Sequence, residues 1–211
     1  MPMGLRDYKQ SGAGEYFHLY NRGNGRGNVF IDEEDFKFFT LKLNQNLYPE
    51  LFKPKRLYSK PLPSNSFSLI SYCLMPNHFH FLIRQNMEIP TSKLILKVCT
   101  SYSKFFSKKY DKPGHLFQDQ FKQVLVDDNS YLLWLSAYIH QNPKVAGLVS
   151  DNVDYKWSSY ASYLNLNSDL IKCDSGVILD QFKEPKDYLE FMKDSYDTIK
   201  SKKDIEHLLL D

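Results

Sequence analysis

The sequence predicts an α+β domain: a four-stranded antiparallel sheet with two helices packed together on one face. Three observations point to it. The first 127 residues read in the order strand, helix, strand, strand, helix, strand; the strand-like runs are rich in aromatic and β-branched residues between turn signals; and each helical stretch carries one apolar face. A βαββαβ order of this kind closes most simply into the ferredoxin-like arrangement.

The elements follow in order. Residues 15–21, EYFHLYN, form a strand that runs into a glycine loop, RGNGRGN. Asp32 then opens a helix with acids in its first turn and Phe36, Phe39, Leu43 and Leu47 on one face. The proline-rich stretch FKPKRLYSKPLPSN is a long connecting loop. SFSLISYCLM and HFHFLIRQ, separated by Pro76-Asn77, make an antiparallel hairpin. Thr91 or Ser92 caps a second helix whose apolar face holds Ile95, Val98, Cys99, Tyr102, Phe105 and Phe106, and which ends before Pro113-Gly114. GHLFQDQFKQVLVD reads as the fourth strand. Asp128 or Asn129 caps a further helix, SYLLWLSAYIHQNP, which Pro143 terminates.

Composition fits a folded protein: 42% of the 211 residues are apolar and 15% aromatic. No apolar run approaches the ~20 residues that span a bilayer, and the first residues lack the apolar stretch of a signal peptide, so a cytoplasmic, nucleoid-associated protein is expected. Cys73, Cys99 and Cys173 are odd in number and far apart, which suits reduced thiols rather than a disulfide framework or a zinc knuckle. The net charge of +2 hides an asymmetry, because residues 165–211 carry seven Lys against eleven acids, leaving +6 on the rest. Lys93 to Val124 alone holds seven Lys and two Asp, and Lys53, Lys55, Arg56 and Lys60 form a second cluster without acids. Charge gathered this way on a nearly neutral chain suits a polyanionic partner.

The sharpest chemical signal is His78-Phe79-His80. On a strand, residues two apart project from the same face, so two imidazoles stand side by side as a preorganised pair for a divalent ion. Tyr102 lies on the apolar face of the lysine-rich helix, where a phenol is usually core packing. In the βαββαβ arrangement, however, this helix packs on the sheet that bears the histidines, where the phenol could approach a metal-bound phosphate. Tyr110 is the second candidate nucleophile. Asn21 and Arg22 close the first strand beside glycines that admit a phosphate to backbone amides. Lys104, Lys108, Lys109, Lys112 and Lys122 can hold a nucleic-acid backbone or simply face solvent. His115 reads as structural, Trp157 with Ser158 and Ser159 as a packing anchor, and Asn142-Pro143 as a helix stop.

Four blocks, HLYNRGNGRGNVF, YCLMPNHFHFLI, SYSKFFSKKYDKPGHLFQDQFK and YIHQNPKVAGLVSDNVDYKWSSYASYL, occur in the order and spacing of the REP-associated tyrosine transposases and related single-tyrosine transposases. The chain resembles this family over roughly residues 14–165. The resemblance implies a single-tyrosine transposase domain over 1–165, followed by an acidic, weakly helical extension over 166–211. It implies that His78 and His80, with Phe79 as the hydrophobic residue between them, form an HUH motif holding Mg²⁺ or Mn²⁺. It implies that Tyr102 attacks single-stranded or hairpin DNA to give a 5′-phosphotyrosine and a free 3′-OH, so that a second end can be joined without ATP. Asn21, Arg22, Lys104, Lys108, Lys109 and Lys122 would then contact the DNA, in a monomer or a homodimer.

One departure stands out. Relatives carry a polar side chain about one turn beyond the tyrosine to complete the metal site, and after Tyr102 that region holds Phe106 and Ser107. This leaves open a domesticated DNA-binding protein with little or no catalysis. An RNA-binding ferredoxin-like module is a further alternative, weakened because the sheet positions that can be assigned present histidines rather than stacking aromatics.

Overall fold

In a computed structural model of the chain, residues 12–52, 61–166 and 170–209 are described, and the Lys53, Lys55, Arg56 and Lys60 cluster lies outside them. The strands are β1 (Tyr16–Arg22), β2 (Phe67–Met75), β3 (His78–Gln85) and β4 (Lys122–Val126), paired in the order β2-β3-β1-β4 with every neighbour antiparallel. This is the expected ferredoxin-like sheet.

Strand alternation divides the side chains between two cores. On one face, Phe17 and Leu19 of β1, Tyr72 and Leu74 of β2, and Phe79, Phe81 and Ile83 of β3 meet helices α1 (Glu33–Leu47) and α2 (Thr91–Tyr110). Phe36, Phe39 and Leu43 of α1 and Leu94, Val98, Tyr102 and Phe106 of α2 supply the other half of that core. The opposite face is also covered. Ile70, Leu82 and Val126 pack there against Leu132, Leu135 and Ile139 of α3 (Asn129–Val145) and against Tyr188, Met192 and Ile199 of the C-terminal segment.

Local chemistry explains most element ends. Asp32 accepts from the backbone N–H groups of Glu34 and Asp35 while Asp35 reaches back, a complete capping box for α1. Asp128 accepts from the N–H of Tyr131 and opens α3. The expected cap of α2 is corrected: Pro90 holds the cap position, and the Thr91 hydroxyl instead donates to Gln123 Oε1 at 2.5 Å, tying the helix to β4. Asp111 ends α2 in the left-handed conformation, φ 49°. The fourth strand is shorter than the sequence suggests. Its upstream half follows the end of β1 as an irregular ribbon, with Gln118 N–H donating to the Arg22 carbonyl and Asn24 N–H to that of Leu116. Pro143 does not terminate α3 but sits inside its last turn, where a missing N–H costs only one intrahelical bond.

Beyond α3 the chain returns to the sheet through Trp157, which stacks on Phe36 at 4.5 Å, and the short helix α4 (Tyr160–Tyr163). A one-turn helix α5 (Gly176–Leu179) leads to α6 (Pro185–Leu209), 25 residues long and packed along α3. The α3–α6 seam holds a buried polar network: His140 bonds the Tyr188 hydroxyl through Nδ1 and Ser159 Oγ through Nε2, both at 2.8 Å. Burial pushes His140 down to about 3, so it is a neutral structural imidazole. Among the described residues, no helix is long and apolar enough to cross a membrane.

Candidate functional site

His78 and His80 alternate with the core residues Phe79 and Phe81, so they point to the face of the sheet that α3 covers. Their rings stand 5.0 Å apart and nearly perpendicular. Across the ladder, Arg22 is opposite His78, Tyr20 opposite His80, and Lys122 opposite Tyr20, so one patch collects these side chains. His78 Nδ1 lies 2.6 Å from Asn77 Oδ1. An amide oxygen only accepts, so Nδ1 carries a proton, and in the neutral ring that leaves the lone pair on Nε2. His80 Nδ1 lies 2.9 Å from Nε2 of His18, a buried β1 residue that the sequence did not single out. Burial pushes His18 down to about 3, which keeps it neutral.

Helix α3 brings a tyrosine to this patch. The ring of Tyr138 meets His80 edge-on at 5.5 Å and His18 at 6.4 Å, and its other side stacks on Trp134 at 5.3 Å. One helical turn later, Asn142 is fully buried, its Nδ2 donating to the Tyr138 carbonyl at 2.7 Å. Residues four apart share a helix face, so the phenol and the amide are neighbours on the side of α3.

Tyr102 is elsewhere. It is fully buried in the α1–α2 core on the opposite side of the sheet, among Phe30, Phe39 and Phe105, and its hydroxyl donates to the Val29 carbonyl. Burial, then the nearby carboxylates, push its phenol far above the ordinary range. The expectation that α2 lays Tyr102 against the histidines is thus corrected: α2 covers the Phe79 face, and a four-stranded sheet separates the phenol from the imidazoles. Tyr110 sits on the same helix, donating to Asp35 Oδ2 at 2.8 Å, with burial and that carboxylate raising it to about 12.

The predicted DNA contacts also divide. Lys109 Nζ lies 2.7–2.9 Å from Asp32, Glu34 and Asp35, so it clamps α2 to the start of α1 rather than projecting to a partner. Lys104 and Lys108 are exposed, but on α2, in the layer across the sheet from the histidines. Asn21 alternates to the Phe79 side, where its Nδ2 donates to the Asp119 carbonyl at 3.2 Å. Arg22 and the exposed Lys122 remain on the histidine face, with Arg22 Nε held 2.5 Å from Gln118 Oε1.

The glycine loop reaches the same end of the sheet. Gly23 N–H donates to the Asn77 carbonyl, and Val29 and Phe30 N–H both donate to that of Pro76, so the loop packs on the turn before His78. A Cβ on Gly23 would strike the Gly27 carbonyl oxygen, which explains glycine there.

Among the described residues, no group of three or more His, Cys, Asp or Glu could hold a metal ion. β3 offers two imidazoles side by side, and the neighbouring α3 carries the carboxamide of Asn142 one turn beyond Tyr138. That set fits a divalent ion such as Mn²⁺ or Mg²⁺, which completes its shell with water or phosphate oxygen. Sequence reasoning missed Tyr138, Asn142 and His18. The signal was present in YIHQNP, where a polar residue follows a tyrosine by four, the spacing that Tyr102 and Phe106 fail to give.

No curated protein matches the chain. Among solved structures, the chain resembles the "Structure of the REP associates tyrosine transposase bound to a REP hairpin", with a TM-score of 0.57, 14% identity, and coverage of 83% of this chain and 96% of the other. At that identity the likeness speaks for the fold. The sequence profile described as "Transposase IS200 like" matches residues 28–142, more than half of the 211. That stretch contains the histidine pair of β3 and ends at Asn142 of α3, and the chain belongs to the IS200-like transposase family.

Proposed function

We propose that this protein is a metal-dependent nicking and strand-transfer enzyme for single-stranded DNA next to hairpins, and that its nucleophile is Tyr138. The observation that carries the reading is the edge-on contact of Tyr138 with His80, on a polar face that also holds His78, Arg22 and Lys122. Asn142 answers the departure noted at Phe106, because the polar residue one turn beyond the tyrosine is present once the tyrosine is Tyr138. His78, His80 and Asn142 would hold the divalent ion, which when bound neutralises charge on the attacked phosphate.

The remaining work falls to the chain itself. Tyr138 Oη forms a bond to phosphorus as the bond to the 3′ oxygen breaks, and the phenolic proton ends on that oxygen. The products are a 5′-phosphotyrosine and a free 3′-OH. An incoming 3′-OH reverses the exchange and joins a new strand. Trp134 stacks behind Tyr138 and limits its ring to few rotamers, which favours in-line attack. Lys122 and Arg22 border the site and suit the phosphates flanking the scissile one. The REP hairpin bound by the similar transposase supports a hairpin-flanked substrate for this chain too.

The test uses 5′- and 3′-labelled hairpin oligonucleotides with single-stranded flanks, Mn²⁺ and a denaturing gel. Wild-type protein and the Tyr102→Phe variant are expected to give a protein-linked product that EDTA abolishes, and Tyr138→Phe none. Hairpin binding that survives EDTA, with no adduct from wild-type protein, would favour a DNA-binding protein without catalysis.

A further inference from the structure

Resting on the proposed metal role of His80, we infer that His18 is a positioning residue: its Nε2 accepts the Nδ1–H of His80 and so commits the Nε2 lone pair of His80 to the divalent ion. The contact is 2.9 Å long and both rings are more than nine-tenths buried. The two ring planes lie within 22° of each other with centroids 5.1 Å apart, as an in-plane N–H···N bond requires, with Tyr20 stacked on His18 at 4.7 Å and Tyr138 edge-on to both. His18 is therefore held from several sides and cannot easily swing away.

The direction of this bond matters. Between two neutral imidazoles, one nitrogen must donate and the other accept. If His80 donates, its proton is on Nδ1 and its Nε2 can ligate. If His18 donates from Nε2, His80 carries its proton on Nε2 and cannot ligate. A bound ion selects the first arrangement, and His18 then carries its own proton on Nδ1. Asn77 fixes the tautomer of His78 in the same way from the neighbouring turn. Each ligating imidazole thus has its own hydrogen-bonded partner, the arrangement that orients metal-binding histidines generally.

Full-length protein titrated with Mn²⁺, following the EPR signal of the free ion, tests this without reference to DNA cleavage. His18→Leu removes the acceptor and is expected to weaken Mn²⁺ binding by about 10- to 100-fold. His18→Gln can present an amide oxygen near the Nε2 position and should restore affinity to within about threefold of wild type. His80→Ala should lose at least as much as His18→Leu. Loss in His80→Ala with wild-type affinity in His18→Leu would overturn the role of His18 while leaving the metal site standing. Wild-type affinity in His80→Ala would instead overturn the metal reading itself. Should His18→Leu not fold, long-range ¹H–¹⁵N NMR of the wild-type protein with Mg²⁺ decides the matter. A proton on Nδ1 of His80 supports the inference, and a proton on Nε2 contradicts it.

Discussion

The ring of Tyr138 on α3 stands edge-on to the ring of His80 on β3, 5.5 Å between centroids. Every other candidate nucleophile on the lysine-rich helix α2 is separated from that imidazole by the thickness of the sheet. This relationship puts the proposed chemistry on one face of the sheet and the main aromatic core on the other.

Tyr102→Phe should therefore behave as a core substitution. Losing the hydrogen bond to the Val29 carbonyl leaves that acceptor unpaired and is expected to cost about 1–3 kcal/mol. Denaturant unfolding would register this loss, while the rate of DNA cleavage at a temperature where both proteins are folded stays unchanged. A variant that keeps full stability and loses cleavage would contradict the assignment.

Asn142→Ala removes the carboxamide from the proposed ion site. Mn²⁺ affinity should fall by about tenfold or more, equivalent to about 1.4 kcal/mol. Cleavage should recover partly at high Mn²⁺, which a variant damaged only in folding would not do. The Mn²⁺ dependence of the initial rate is the readout.

Lys109 and Lys122 should separate stability from binding. Lys109→Met breaks contacts to Asp32, Glu34 and Asp35 and is expected to lower the melting temperature with no change in the salt dependence of DNA binding. Lys122→Ala should leave stability alone and reduce the slope of log affinity against log salt by about 0.7, the value for one single-strand phosphate contact. The Lys109 hydrogen bond, followed by the Asp35 backbone and Tyr110, holds Asp32 below the usual carboxylate range. Its contribution is thus complete above the ordinary Asp value of about 3.9 and disappears as pH falls through the lowered one. Asp32→Asn should flatten the acid limb of the stability curve by that group's share.

Removing residues 166–211 tests whether the first 165 residues stand alone. The cut exposes the surface of α3 and β2 that Tyr188, Met192 and Ile199 cover, and each of those side chains is worth about 1.5–3 kcal/mol when buried. The truncated protein is expected to aggregate or to melt well below the full chain. Unchanged melting would show that the extension is a passenger.

The succession of elements along the chain, the hairpin at Pro76-Asn77 and the helix start at Asp32 were legible because each is written in adjacent residues. So was the pairing of His78 with His80, a consequence of strand alternation. What the sequence could not state is which face of the sheet each helix covers. Tyr102 and Tyr138 both lie on helices with aromatic neighbours, and only the crossovers decide that α2 meets Phe79 while α3 meets His80. His18 was illegible for another reason. Its value lies in a bond to a residue 62 positions away, and nothing in EYFHLYN marks it apart from its neighbours. Residues 166–211 read as an acidic, weakly helical extension, with nothing to say what it packs against. The sparse apolar positions of α6 suffice to dock it, because α3 offers it a complementary face.

The most direct test of the central claim is peptide mapping of the covalent protein–DNA product by mass spectrometry. Wild-type protein is incubated with Mn²⁺ and a hairpin carrying a single-stranded flank, then digested with trypsin and nuclease. The account predicts a nucleotide on Tyr138, absent when EDTA is added first. A nucleotide on Tyr102 or Tyr110 would contradict it.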